Sequence, residues 1–190
     1  MNGALYSLRY DLLNDFEPIS LISSFPFLIY GRKDLPAKSL NELIAWLKAN
    51  PNKASEGVTA SGTHAAAAIF QKETGTRFQF IPYRGASPAI QDLLAGQIDL
   101  VWESPLHLPQ VRAGYIKAYA VTSKTRLATA PNIPTVDEAG LPALLYSAWY
   151  GPFAPKASPR DAIAKLNAAL TNALDDPAVL QRLRRRAFRV

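Results

Sequence analysis

The chain has 190 residues, of which 48% are hydrophobic and 19% charged, a composition typical of a globular protein with a buried core. It contains no cysteine, which excludes disulfides and thiol catalysis. No apolar run approaches the ~20 residues of a membrane-spanning helix, and the residues after Met1 lack the basic start and apolar run of a signal peptide. The length predicts one domain or two small lobes.

The net charge of +6 is concentrated at the end of the chain. Most of it comes from five arginines, namely Arg182, Arg184, Arg185, Arg186 and Arg189. The remaining 16 basic residues nearly balance the 15 acidic ones. Few aromatic residues interleave with the five arginines, although a nucleic-acid surface typically carries them. The pattern therefore predicts a solvated helix face or a frayed end, with no nucleic-acid partner.

In chain order, the first clear helix is predicted from Ser39 to Asn50. Ser39 is followed three residues later by Glu42, which is the pattern of a capping box, and Pro51 stops the helix. Its predicted apolar face consists of Leu40, Leu43, Ile44 and Leu47.

Short apolar runs alternate with the predicted helices along the chain. The strands are expected in "PISLISSFPFLIYG", "RFQFIPY", "QIDLVW", "YIKAYAVTS" and "YSAWYGPFAP". This alternation predicts an α/β fold built from parallel βαβ units. Later helices are predicted to begin at Ser87-Pro88, Ser104-Pro105, Ser158-Pro159 and Asp176-Pro177, and two helices to end at Gly75 and Gly96.

Two long aromatic segments, interrupted by proline or glycine, bracket the βαβ-rich block at residues 16–34 and 144–159. A block that is entered and left by extended strands is typical of a two-lobed, hinged protein. We therefore predict a partial first lobe at residues 1–24, a second lobe at 25–146, and a return to the first lobe with a helical end at 147–190. A single continuous sheet is the alternative.

Three strand-to-helix junctions are candidates for a ligand site, because open parallel sheets bind ligands beyond the carboxyl ends of their strands. They are "EGVTASGTH", "YRGASPAI" and "VWESP". Small residues leave backbone N–H groups accessible, and the helix dipole favours an anion by about 0.3–1 kcal/mol per exposed interaction. The hydroxyls of Ser61, Thr63 and Ser87 add donors, which predicts a carboxylate or phosphate site. The alternative is that Thr63 and Ser87 only cap their helices.

The sequence gives little support to catalysis. Neither His64 nor His107 has a second histidine at metal-ligand spacing, and no nucleophile-elbow, phosphate-loop or dinucleotide-binding motif occurs. A hydrolase that uses one of these histidines is therefore the least favoured interpretation. No catalytic residue, metal site or cofactor is predicted.

The order and spacing of "PYRGASPAIQDLLAGQIDL", "AVTS" and "PNIPTVDEAGLP" resemble the Bug-type receptors of tripartite tricarboxylate transporters. The resemblance extends from "DFEPISLI" to about Arg182. It implies a type II-like periplasmic binding-protein fold with two α/β lobes. It also implies a receptor, not an enzyme, that binds a small mono- or dicarboxylate in the periplasm and delivers it to membrane subunits. The ligand-binding residues carried over are Ser61, Gly62, Thr63, His64, Gly85, Ala86, Ser87 and Glu103.

Three features depart from the family pattern. The turn before His64 is two residues short, and Glu103 replaces the typical aspartate. The first strands of lobe one and the closing helices are absent, so that one complete α/β lobe and parts of a second are expected. Exposed lobe-one fragments would favour self-association. The alternative function is therefore a truncated paralogue that acts as a dimerisation or interaction module without transport function.

Overall fold

The computed structural model describes residues 7–185 and 188. Its strands are β1 (Phe16–Pro18), β2 (Ser23–Pro26), β3 (Leu28–Arg32), β4 (Ser55–Val58), β5 (Gln79–Pro82), β6 (Leu100–Glu103), β7 (Ile116–Val121), β8 (Ser147–Tyr150) and β9 (Phe153–Pro155). Its α-helices are α1 (Leu40–Ala49), α2 (Ser61–Thr74), α3 (Ala86–Leu94), α4 (Leu108–Arg112), α5 (Arg160–Asp175) and α6 (Pro177–Arg185). Short 3₁₀ helices lie at Pro105–His107 and Pro142–Leu144.

The chain divides into two compact units. Unit 1 comprises residues 1–25 and 148–190, and unit 2 comprises residues 26–147. The predicted lobe boundaries, at 24/25 and 146/147, differ from this division by one residue each.

Unit 2 contains a five-stranded sheet in the order β5-β4-β6-β3-β7. β4 runs parallel to both β5 and β6, as the βαβ pattern predicts. β3 runs antiparallel to β6 and β7, so the predicted parallel βαβ units form only part of a mixed sheet. Apolar periodicity reports that a strand is buried but carries no information on its direction, so it gives no sign of the antiparallel strand.

Different helices cover the two faces of the sheet. Beneath α2, the Trp102 ring stacks on Phe78, with ring centroids 5.9 Å apart, and meets the edge of Phe70 at 5.3 Å. On the other face, the Tyr83 hydroxyl donates to Asp92 of α3 over 2.6 Å. The sheet is therefore covered by α2 on one face and by α3 on the other, and both helices start at the same edge.

The start of α1 follows the prediction closely. The Ser39 hydroxyl accepts a hydrogen bond from the Glu42 N–H over 3.2 Å. The Glu42 carboxylate accepts from the Lys38 N–H over 2.8 Å, one residue before the position that a capping box expects. Three of the four predicted apolar residues are buried, namely Leu40, Leu43 and Leu47.

The prediction that Ser-Pro starts helices is wrong in two of three cases. α3 begins at Ala86 with Gly85 as its N-cap, so that Ser87 and Pro88 lie inside its first turn. α5 begins after Pro159. Proline is tolerated throughout the first turn, where no N–H has an intrahelical acceptor, so it does not mark one position.

Other helix ends agree better with the sequence. Ser104 precedes the 3₁₀ helix as predicted, but its hydroxyl makes no capping bond. Asp176 caps α6 by accepting from the Ala178 N–H over 2.7 Å. Gly75 ends α2 with φ +67°, and Gly96, with φ +74°, follows the C-cap of α3.

One buried threonine joins the two ends of unit 2. The Phe27 N–H donates to the Thr122 hydroxyl over 2.8 Å. The same hydroxyl donates to the Tyr146 carbonyl over 2.6 Å. The rings of Phe27 and Tyr146 are stacked with centroids 5.4 Å apart. The points where the chain enters and leaves unit 2 are therefore held side by side.

Unit 1 consists of short ribbons and two helices. β1 pairs with β9 in antiparallel orientation, and β2 pairs with β8. Neither α5 nor α6 has a buried residue among those described, and Arg182, Arg184 and Arg185 lie exposed in the last turn of α6, while Arg186 and Arg189 lie outside the described residues. Across residues 7–185, no helix has the length and apolarity needed to cross a membrane.

Candidate functional site

The three junctions predicted from the sequence lie at one edge of the sheet. β5, β4 and β6 are neighbours and run in the same direction, so their carboxyl ends share this edge. The first two junctions are also tied together, because the Tyr83 N–H donates to the Val58 carbonyl over 2.8 Å. The N-termini of α2 and α3 are thus gathered beyond adjacent strand ends, which is where α/β sheets bind ligands.

Thr63 organises the turn before α2. Its hydroxyl accepts from the N–H groups of Thr59 and Ala60, over 3.2 and 3.1 Å, and donates to the Ala60 carbonyl over 2.8 Å. Thr63 is only 1% exposed. The prediction that this hydroxyl adds a donor for a ligand is therefore wrong, because the turn itself occupies it. Ser61 and Gly62, which open the helix, are half-buried.

The turn before α3 depends on glycine. Gly85 is the N-cap with φ +105° and ψ 175°, a region that is essentially restricted to glycine. A Cβ atom built on Gly85 would meet nothing within 4 Å, so space does not limit this position. Ala86 starts the helix, and Ser87 is exposed at its second position and does not serve as the predicted cap.

We expect Gly85→Ala to lower the free energy of unfolding by about 1–2 kcal/mol more than Gly75→Ala does. Both sites have open space for a Cβ, but Gly75 has a left-handed conformation that alanine tolerates better. Urea unfolding of the two variants measures the difference. Equal destabilisation would show that the backbone at Gly85 relaxes without strain.

Glu103 connects the end of β6 to the turn before α2. Its Oε1 accepts from the Thr59 hydroxyl over 3.1 Å, and its Oε2 accepts from the Ser104 N–H over 2.7 Å. The side chain is half-buried. These two bonds hold a carboxylate beside the α2 turn, at the edge where both helices begin.

The two histidines occupy different environments. The His64 ring meets the edge of Phe80 with centroids 4.6 Å apart, at the start of α2. His107 lies in the 3₁₀ helix beside Tyr30, and burial lowers its pKa although the charge of Glu103 acts in the opposite direction. Within residues 7–185, no group of three or more histidine or acidic residues is arranged to hold a metal ion.

Sequence reasoning missed one buried carboxyl group. Glu56 of β4 is fully buried, and neither of its oxygens has a hydrogen-bond partner among the described residues. The Trp102 indole Nε1 is likewise buried without a partner in that part of the chain. Burial raises the pKa of Glu56 to about 8, and the nearby Trp102 backbone N–H, which does not reach hydrogen-bond geometry, opposes this shift. The run "SEGV" contains no signal that distinguishes this acid from a surface one.

Solved structures with this fold include the periplasmic binding protein BugD, which shares 34% identity with a TM-score of 0.88, over 92% of this chain and 60% of its own. MatC from Rhodopseudomonas palustris, solved with bound malate, shares 32% identity and superposes with a TM-score of 0.92, over 98% of this chain and 65% of its own. Rpa4515 from R. palustris, solved with adipate, shares 30% identity with a TM-score of 0.90, over 96% of this chain and 62% of its own. The chain therefore has the fold of a solute-binding protein.

Sequence comparison identifies the family. The model of the tripartite tricarboxylate transporter family receptor, TctC, matches residues 4–190. A UPF0065 protein from the TAR-I ttuE-ttuC' intergenic region of Agrobacterium vitis is 39% identical over 95% of this chain and 53% of its own length. BugT of Bordetella pertussis is 34% identical over 92% of this chain and 55% of its own length. The chain belongs to the tripartite tricarboxylate transporter receptor family, which confirms the resemblance to Bug-type receptors.

The chain spans about half the length of the curated relatives it matches. The solved structures extend beyond it as well, since 60–65% of their length is covered. Family members and structural neighbours are solute-binding proteins rather than enzymes. Ligand binding and transport, as carried out by complete receptors, can therefore only be proposed for this chain.

Proposed function

We propose that the chain binds a small carboxylate, as part of a periplasmic receptor for a tripartite tricarboxylate transporter. The single observation that carries this proposal is the meeting of two helix N-termini beyond adjacent parallel strand ends. The first-turn N–H groups of a helix lack intrahelical acceptors and lie at the positive end of its dipole, so they suit an anion. The malate and adipate bound to two relatives have this chemistry.

The residues proposed to contact the ligand lie on both turns and between them. From α2, the backbone N–H groups of Ser61, Gly62 and Thr63 would contact the ligand. His64 would contribute its ring and not its backbone, because the His64 N–H already donates to the Ala60 carbonyl. Gly85, Ala86 and Ser87 would contribute from α3, and Glu103 from β6. Binding needs no cofactor, because backbone amides and side chains supply every interaction in this scheme.

Two further roles follow from this proposal. Membrane subunits of the transporter would receive the ligand, and the periplasm would be the place of action, as it is for the family. The alternative interpretation, a dimerisation module without transport function, receives no support from the relatives. Large apolar side chains of unit 1 are nevertheless exposed, among them Leu13 at 86% and Leu21 at 57%, which is consistent with the self-association expected from the sequence.

The proposal is tested by measuring melting temperature with a panel of mono- and dicarboxylates. A ligand that binds only the folded state at 100 times its Kd adds about 2.7 kcal/mol of stability, so we expect a rise of several degrees. The uncharged amides of the monocarboxylates and diamides of the dicarboxylates serve as controls and should produce no rise. The panel is also applied to BugT as a relative of full length. Absence of a rise with every carboxylate in both proteins would contradict the proposal.

A further inference from the structure

We infer that Glu103 makes the site select carboxylates that also carry a hydrogen-bond donor, such as a hydroxyl or ammonium group. The inference rests on the proposed function, because it concerns the same edge of the sheet. It adds the substrate class, which neither the fold nor the two helix N-termini specify.

The Glu103 carboxylate is held in one position by two hydrogen bonds. Thr59, whose hydroxyl donates to Oε1, lies in the turn that leads into α2. Ser104, whose N–H donates to Oε2, follows β6 directly. The carboxylate is therefore fixed by hydrogen bonds to residues at two neighbouring strand ends. These bonds restrict the side chain and hold it beside the turn before α2.

The Glu103 carboxylate can accept more hydrogen bonds than these two. An ionised carboxylate has about four acceptor positions, and the two protein donors named above occupy one on each oxygen. Each oxygen can therefore accept one more hydrogen bond. A group that meets Glu103 from the ligand side satisfies it only by donating a hydrogen.

The described groups around Glu103 do not neutralise its charge. Glu103 forms no salt bridge within residues 7–185, and burial lowers the pKa of His107, which keeps that neighbouring imidazole neutral near pH 7. The negative charge of Glu103 is thus left without a cationic partner in the described part of the chain. A second carboxylate placed against it would be repelled, whereas a hydroxyl or ammonium would be attracted.

A positively charged side chain lies at the turn before α3. Arg84 directly precedes Gly85, is exposed, and forms no salt bridge among the described residues. A ligand with a carboxylate towards the α3 turn and a donor towards Glu103 matches both charges. This arrangement favours hydroxy- and amino-dicarboxylates over unsubstituted ones.

The test compares succinate, malate and aspartate, which share a four-carbon skeleton and differ in the donor. Calorimetric titration of the full chain is expected to show malate or aspartate binding about tenfold or more tightly than succinate. In Glu103→Gln, which removes the charge and keeps the size, the preference should fall to within about threefold, with tighter succinate binding than in the wild type. Glu73→Gln, an exposed carboxylate on α2, is the matched control and should keep the wild-type ratio.

The outcomes separate the inference from the proposed function. Equal affinities for the three acids, or an unchanged ratio in Glu103→Gln, would overturn the inference and leave carboxylate binding intact. If none of the three acids binds while others in the panel do, the inference also fails. If Glu103→Gln does not fold, 2-methoxysuccinate decides in the wild type, because it keeps the oxygen of malate without the donor hydrogen; affinity equal to that of malate would overturn the inference.

Discussion

Replacing Glu56 by glutamine is expected to raise the free energy of unfolding by roughly 3–5 kcal/mol at pH 9 and to change it little at pH 5. Glu56 lies in the interior strand β4, in register with Phe80 on one side and Leu100 on the other. Its carboxyl group is fully buried and has no hydrogen-bond partner among the described residues. Ionising it in that position removes a charge from water without compensation.

The direction follows from the pKa values in the two states. Burial raises the pKa of Glu56 from 4.5 to about 8 in the folded protein. The folded state therefore keeps a proton that the unfolded state loses above pH 4.5. The stability associated with the neutral form is fully present below pH 4.5 and is lost as pH rises to about 8, at about 1.4 kcal/mol per pH unit. Glutamine cannot ionise, so the variant loses this dependence.

Urea unfolding at pH 5, 7 and 9 measures the effect, and the difference between variant and wild type isolates Glu56 from other titrating groups. Glu73→Gln provides the control, since Glu73 is an exposed carboxylate on the helix above the same sheet. A wild-type protein whose stability changes with pH no more than that of Glu56→Gln would show that the carboxyl group finds a partner or water in solution.

Thr63→Val should be the second large effect, with a loss of about 2–3 kcal/mol in the free energy of unfolding. Valine keeps the shape of threonine but leaves the N–H groups of Thr59 and Ala60 without their acceptor. Because these N–H groups fix the turn that precedes α2, carboxylate binding should weaken as well. Urea unfolding and calorimetric titration measure the two losses.

Thr63→Ser is the matched variant for this prediction. It retains the hydroxyl and loses only a methyl group, so it should keep most of the stability and the ligand affinity. Similar losses in Thr63→Ser and Thr63→Val would assign the effect to packing of the methyl group rather than to the hydrogen bonds of the turn.

Much of the fold could be predicted because it depends on local chemistry. Ser39 and Glu42 identify the start of α1, Gly75 the end of α2, and Asp176 the start of α6. The location of the three junctions also follows from the sequence, since each combines a strand end with small or capping residues. Such signals act over a few residues, and the tertiary structure seldom overrides them.

The remaining features depend on contacts between distant residues. The direction of β3 is set by pairing with β6 and β7, which lie about 70 and 90 residues further along the chain. The sequence makes the Thr63 hydroxyl a candidate ligand donor, yet in the structure it points into the turn, where it accepts hydrogen bonds from two backbone N–H groups. Glu56 is fully buried in a strand that pairs with β5 on one side and β6 on the other, and both partners lie far along the chain from it. No pattern within a short window contains this information.

The hydrogen bonds of Thr122 have a consequence for the order of folding. Unit 1 is built from two stretches of sequence that are separated by the whole of unit 2. Joining them across an unfolded loop of about 120 residues would cost roughly 4 kcal/mol in chain entropy. Once Thr122 has linked Phe27 to Tyr146, that loop is already closed, and the strands on either side begin close together. We therefore expect unit 2 to fold first and to bring the two stretches of unit 1 together, so that weakening the Thr122 junction should slow the pairing of β2 with β8.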